Sequence, residues 1–309
     1  MNHFQVLIAA VSAVVLFLYS LQAFSRELQA MGGAGMQAWL ARVTTNRWYG
    51  FLVGAIATAL VQSSSATTAL AVALVDAQVI SFAGSLAILL GANVGTTATA
   101  WLVSMKLTGI GPLFIIAGAL VSSLPSKIQA LGKAAFYFGL IFFALDLISS
   151  ELKPLQAQPW FVDTLAQARE PWIALLMGAL FTALVQSSSV STGLAIVLTQ
   201  HQLIPAEAAI AIVVGANVGS TSTALLSSLQ MSANAQATAK AKANFLFNLA
   251  GALAFFPFIP ALSDALLPLA GTAVAAAHLI FNLCVGLCFL ICLPYLQPRL
   301  MRWLKAAPA

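Results

Sequence analysis

VQSSSATTAL, residues 61–70, and VQSSSVSTGL, residues 185–194, each set four consecutive hydrogen-bonding side chains in the middle of a long apolar stretch. The arms around the first cluster, about 51–61 and 66–75, are apolar but short. A helix needs about 20 residues to cross a bilayer, so neither arm crosses alone. The spacing therefore predicts a re-entrant helical hairpin over 51–75, entering and leaving on one side with QSSS at its tip. The second cluster predicts the same over 172–199.

The two hairpins belong to a duplication. Gln62 and Gln186, Gly91 and Gly215 of the two GANVG segments, and Glu27-Leu28 and Glu151-Leu152 are all separated by 124 residues without a gap. Between Gly54 and Ser104 roughly half the positions match at that offset. Coincidence between apolar helices does not give one register for three separate markers.

Composition sets the environment. The 309 residues are 61% hydrophobic and 7% charged, with mean hydropathy +0.97, against about 25% charged in a soluble domain. The expectation is an all-α membrane protein. The net charge of +5 comes from scattered Lys and Arg. No basic run is long enough to follow a phosphate backbone, so a nucleic-acid partner is not expected. The first apolar segment reads as a permanent span rather than a leader, because residues 1–3 carry no Lys or Arg. Both tails are short, and no appended soluble domain is expected. Cys284, Cys288 and Cys292 share one helix face in apolar surroundings and read as packing or lipid-facing residues, with no transition metal.

The expected organisation is an inverted-topology repeat of about seven spans and two hairpins. Residues 1–130 hold a span at 4–24, a polar, amphipathic stretch at 25–50, the hairpin 51–75, a span at 80–104 broken at GANVG, and a span at 109–124. Residues 131–262 hold a span at 134–149, the hairpin 172–199, a broken span at 204–229 and a span at 243–260. Residues 263–309 hold a last span at 273–295 and a tail. Three crossings per copy turn the second copy upside down. The basic residues agree: Arg26, Arg42, Arg47, Lys127, Lys133, Lys240, Lys242, Arg299, Arg302 and Lys305 fall on one side, Lys106, Lys153 and Arg169 on the other. That asymmetry places the N-terminus outside and the C-terminus in the cytoplasm.

Inverted repeats with interrupted helices are the architecture of secondary transporters. A break at mid-depth frees backbone polar groups and is tolerated where it lines a site. Ser at the tip caps the next half-helix, whose N-terminus suits an anion. Gln62, Ser63, Ser64, Ser65, Gln186, Ser187, Ser188 and Ser189 are the candidate substrate residues. Hard oxygen donors suit Na+. The candidate ion ligands are Gln62, Ser65, Thr67, Asn93, Thr96, Thr97 and, in the second copy, Gln186, Ser189, Ser191, Asn217, Ser220 and Thr221. In this reading the GANVG glycines let backbone approach the solute. NFLFNLAGA at 244–252 and HLIFNLCVG at 278–286 share an apolar–Phe–Asn–Leu pattern. They make Asn248, His278 and Asn282 either gate residues or interhelical hydrogen-bonders. His201 reads as an exposed interface residue. Asp146 lies near the end of its span. The site is expected to hold neutral dipoles and co-bound cations without a fixed Arg or Lys, so that solute and ion move together.

QSSS in both halves, each followed about 29 residues later by GANVG, the F-N motifs at 247–248 and 281–282, and GLIFFALDLIS at 139–149 resemble the type II sodium–phosphate cotransporter family over nearly the whole chain. The resemblance implies inorganic phosphate as substrate, Na+ as co-substrate with no cofactor, and Gln62–Ser65 and Gln186–Ser189 at the transport site. It also implies a bacterial inner-membrane location. The sequence departs from the family in three places. Many bacterial members carry a regulatory domain after the spans, and none is expected after Ala309 here. Asn244 stands where His often precedes the second-half F-N motif. The linker between the halves is only about 20 residues. Direction, stoichiometry and a homodimer stay open, and some relatives are associated with efflux.

The competing readings are a carrier or exporter of another small oxyanion, such as sulfate or a carboxylate, an anion channel, and an intramembrane serine enzyme. The last needs a base within reach of a Ser. Three His in the chain and two equal Ser clusters argue against it, so an enzyme is not expected.

Overall fold

The structure, a computed structural model, describes residues 3–41, 46–76, 79–105, 109–124, 128–155, 158–230 and 235–305. The chain is an all-α membrane protein. Its helices are α1 His3–Ala41, α2 Arg47–Val61, α3 Ser64–Asp76, α4 Phe82–Ser104, α5 Gly111–Ser122, α6 Gln129–Leu155, α7 Pro159–Gln167, α8 Pro171–Val185, α9 Ser188–Gln200, α10 Ala206–Gln230, α11 Ala235–Phe255, α12 Ile259–Leu266 and α13 Ala273–Lys305. Leu60, Leu113, Leu120 and Leu184 are exposed on its outer surface, as a lipid-facing wall requires.

A helix–turn–helix forms at each QSSS, and the two tips match in backbone detail. Asn46 caps α2, its Oδ1 accepting from the amides of Trp48 and Tyr49. α2 then stops because Gln62 turns left-handed, at φ 55° and ψ 31°. α8 stops the same way at Gln186, at φ 57° and ψ 29°. Each glutamine amide donates to the carbonyl four residues back, Thr58 or Thr182, at 2.7 Å. A left-handed residue with a Cβ costs about 1–2 kcal/mol, and here both copies carry that strain at one repeat position.

A second hydroxyl pair clasps each hairpin inside. Thr58 Oγ1 donates to Thr67 Oγ1 at 3.0 Å, and Thr182 Oγ1 and Ser191 Oγ lie 2.6 Å apart. All four residues are buried. The two pairs are related by the 124-residue offset.

The expected breaks at GANVG do not occur. α4 and α10 run as unbroken helices through 91–95 and 215–219. The glycines serve helix contact instead of solute contact. A Cβ on Gly91 would collide with the Phe51 carbonyl of α2, and one on Gly215 with the Leu175 carbonyl of α8. Asn217 donates back to Val213 O at 2.9 Å, Thr96 to Ala92 O at 2.9 Å and Thr97 to Val94 O at 2.7 Å, all within their own helices. The first arm of each hairpin is thus pressed onto the long helix that follows it.

Other boundaries also differ. α1 continues to Ala41 where a span at 4–24 and a separate polar stretch were expected, so its polar turns stay helical. Two short helices, α7 and α12, fall in stretches not read as elements. Pro257 lies just past the end of α11, in a 3-10 turn at Phe256–Phe258, which explains why the expected span at 243–260 closes early. Among the described residues, Gln5–Gly32, Ala83–Ser104, Gln129–Leu152 and Lys242–Arg299 are long and apolar enough to cross a membrane. The expected span at 109–124 shows a shorter apolar helix, Gly111–Ser122, and α10 covers the expected span at 204–229. α1, α5 and α6 form a panel in which Gly118 meets the backbone of Phe136. Asp146 on α6 ties down the turn before α5 by accepting from the Gly109 amide at 3.2 Å.

Candidate functional site

The two tips meet in one cavity of about 680 Å³. The first hairpin contributes Gln62, Ser63, Ser64 and Ser65, with Thr68 behind them; the second contributes Gln186, Ser187, Ser188 and Ser189. Every expected substrate residue therefore lies in its lining. α4 adds Asn93, Thr96 and Thr99, α10 adds Ser220 and Thr221, and α11 adds Asn244. The first residues of α3 and α9 border the cavity, so two helix N-termini with their partial positive charge do as well.

The capping differs between tips. Ser63 Oγ accepts from the Ala66 amide at 3.2 Å, as expected of an N-cap. Ser187 makes no such bond. The first-turn amides of α9 are thus not claimed by its hydroxyl. On the other arm, α2 has already committed several end carbonyls. Thr58 O takes the Gln62 amide, Ala59 O takes Gln62 Nε2 at 2.6 Å, and Val61 O takes Ser25 Oγ at 3.0 Å.

Thr99 joins the tips. Its Oγ1 donates to Gln62 Oε1 at 2.8 Å and accepts from Ser189 Oγ at 3.4 Å. One buried hydroxyl of α4 thereby touches both hairpins. Sequence reasoning passed over Thr99, although Thr223 occupies the matching position and a hydroxyl kept in both copies was the signal.

The remaining candidates divide. Asn93 Nδ2 donates to Asn248 Oδ1 at 3.3 Å, and Asn248 Nδ2 donates to Asn244 O at 2.9 Å. This chain runs from the cavity wall into α11. Thr67, Thr97, Ser191 and Asn217 are buried outside the lining and bonded within the protein. Asn282 donates to His278 O at 2.9 Å within α13. His278 is buried, neither of its ring nitrogens is bonded among the described residues, and it too lies away from the cavity. His201 is half-buried at the C-cap of α9 rather than exposed.

α1 supplies the part of the wall that was not foreseen. Gln22, Ser25, Arg26 and Gln29 line the cavity. They recur at helical spacing on one face, and Gln29 Nε2 donates to Ser25 Oγ at 2.9 Å. A site without a basic residue was expected, and Arg26 stands in the lining. The spacing of polar residues in 22–29 was the available signal, hidden by ending the first span at residue 24.

A model of the Na+/Pi-cotransporter family matches residues 16–150 and 157–258. YjbB of Escherichia coli (strain K12), named for inorganic phosphate export, is 32% identical over 263 residues, 84% of this chain and 48% of that protein. YqeW of Bacillus subtilis (strain 168) is 29% identical over 259 residues, 83% of each chain. The human sodium-dependent phosphate transport protein 2B is 32% identical over 100 residues, 31% of this chain and 14% of that protein. The chain spans about half the length of YjbB. No solved structure matches it. A matched family model over most of the chain, with both QSSS tips lining one cavity, makes this chain a member of the Na+/Pi-cotransporter family.

Proposed function

We propose that the chain is a secondary transporter that carries inorganic phosphate across a bacterial inner membrane coupled to Na+, by alternating access. The observation that carries this reading is the meeting of two strained Gln–Ser–Ser–Ser tips in one polar cavity. Two helix N-termini and Ser hydroxyls suit the anion. The amide oxygens of Gln62, Asn93 and Gln186, with Ser65, Thr96, Ser189, Ser220 and Thr221, are the hard donors available to Na+. Thr67, Thr97, Ser191 and Asn217 act one layer back, holding helices in place.

The repeat is inverted in this reading, with the N-terminus outside and the C-terminus cytoplasmic. The glycine contacts lock α2 to α4 and α8 to α10 against sliding; each pair moves as one body. A second direction of transport is favoured by one observation: YjbB, the relative covering 84% of this chain, is named for export. Labelled phosphate flux into and out of proteoliposomes, with Na+, K+ and proton gradients imposed in turn, tests both. Flux that follows the Na+ gradient supports coupling; flux indifferent to every cation gradient refutes it. Sulfate carried in place of phosphate moves the assignment to another oxyanion.

A further inference from the structure

We propose that Arg26 selects the transported anion by its charge, gripping it from α1 while the hairpin tips hold it from the other side. The inference rests on the phosphate-carrier reading above and deepens it.

Arg26 is the one ionisable side chain among the described residues that line the cavity. No carboxylate shares that lining, so nothing within it cancels the charge. Among the described residues Arg26 has no ion pair. The neighbouring Glu27 interacts with Tyr137 on α6 instead. The helix that carries the guanidinium is pinned to the first tip by the bond from Ser25 to Val61 O. A planar fork of five donors matches two oxygens of a tetrahedral oxyanion, which a neutral Ser or Gln cannot do with equal strength. The repeat does not account for the charge either, since the matching position in the second copy is Ser150. The cavity therefore has one positive wall, and a doubly charged oxyanion gains more from it than a singly charged or neutral solute. Because Arg26 is solvent-exposed, water and salt weaken the gain to about fivefold in affinity.

The rival role is a topological anchor, a basic residue that only orients α1. The two roles separate in the kinetics of phosphate flux in proteoliposomes, measured for wild type, Arg26→Gln and Arg26→Lys. Recognition of the anion raises the KM for phosphate about fivefold in Arg26→Gln and about twofold in Arg26→Lys, with kcat within about twofold of wild type. The penalty in Arg26→Gln also shrinks as ionic strength rises. An unchanged KM in Arg26→Gln overturns the proposal, as does an equal collapse of kcat in both variants. If Arg26→Gln does not insert, the KM of Arg26→Lys decides alone, and a wild-type value there overturns it. Wild-type protein that carries no phosphate refutes the transport reading itself, an outcome distinct from any of these.

Discussion

Replacing Gly215 with Ala adds one methyl group, yet it should damage the protein more than most changes of that size. The ideal Cβ at Gly215 falls on the Leu175 carbonyl of α8 and within 2.8 Å of its carbon. The obstacle is backbone, which cannot rotate away as a side chain can. Overpacking costs about 1–3 kcal/mol, and a backbone obstacle belongs at about 3. Ala gains about 1 kcal/mol over Gly in a helix interior, which leaves a net loss of about 2 kcal/mol. Relief requires α8 to move off α10, and Gln186 at the end of α8 moves with it. Phosphate flux should therefore fall together with stability. Gly35→Ala is the control. Gly35 lies within α1, is exposed and has open space where a Cβ would stand, so the helix gain of up to about 1 kcal/mol remains unopposed. Thermal unfolding in detergent, followed by tryptophan fluorescence, should place the two variants on opposite sides of wild type. Gly215→Ala with wild-type unfolding and flux would refute the close helix contact and restore the broken span first read from GANVG.

The clasp inside the second hairpin should behave as a unit. A double-mutant cycle on Thr182→Val and Ser191→Ala, read as unfolding free energy, should give a coupling of about 0.6 to 1.7 kcal/mol, the range for hydroxyl bonds between membrane helices. Gln186→Gly should separate stability from function. Glycine removes the left-handed strain, and the Gln186 side chain makes no hydrogen bond among the described residues, so a gain of about 0.5–1 kcal/mol is expected. Flux should nevertheless drop if the Gln186 amide is a ligand, and wild-type flux in the stabilised variant would remove Gln186 from the site.

What could be read in the sequence was what the duplication marks twice. The 124-residue register located both helix–turn–helix units to within a few residues, and their tips do line one cavity. GANVG was misread because glycine carries two meanings in a helix. It weakens the helix and it permits close contact, and only the partner helix decides between them. Gly91 and Gly95 face Phe51 and Ala55 on α2, a pairing between separate elements that hydropathy does not reveal. Arg26 was missed for a related reason. Ending α1 at the last apolar residue discarded the turns that bring Gln22, Ser25, Arg26 and Gln29 onto one face. α12 lies in a proline-rich stretch, with Pro257, Pro260 and Pro268, where the punctuation suggested only the end of a span.

The claim on which the rest depends is that both tips form one site. It is tested most directly by labelled phosphate flux in proteoliposomes containing wild type, Ser64→Ala or Ser188→Ala, each shown to be folded and inserted. One shared site predicts that either substitution alone cuts flux by about tenfold or more, with the pair together far less than additive. Wild-type flux in either single variant would contradict it, because a hairpin that can lose its tip hydroxyl without effect does not hold the anion.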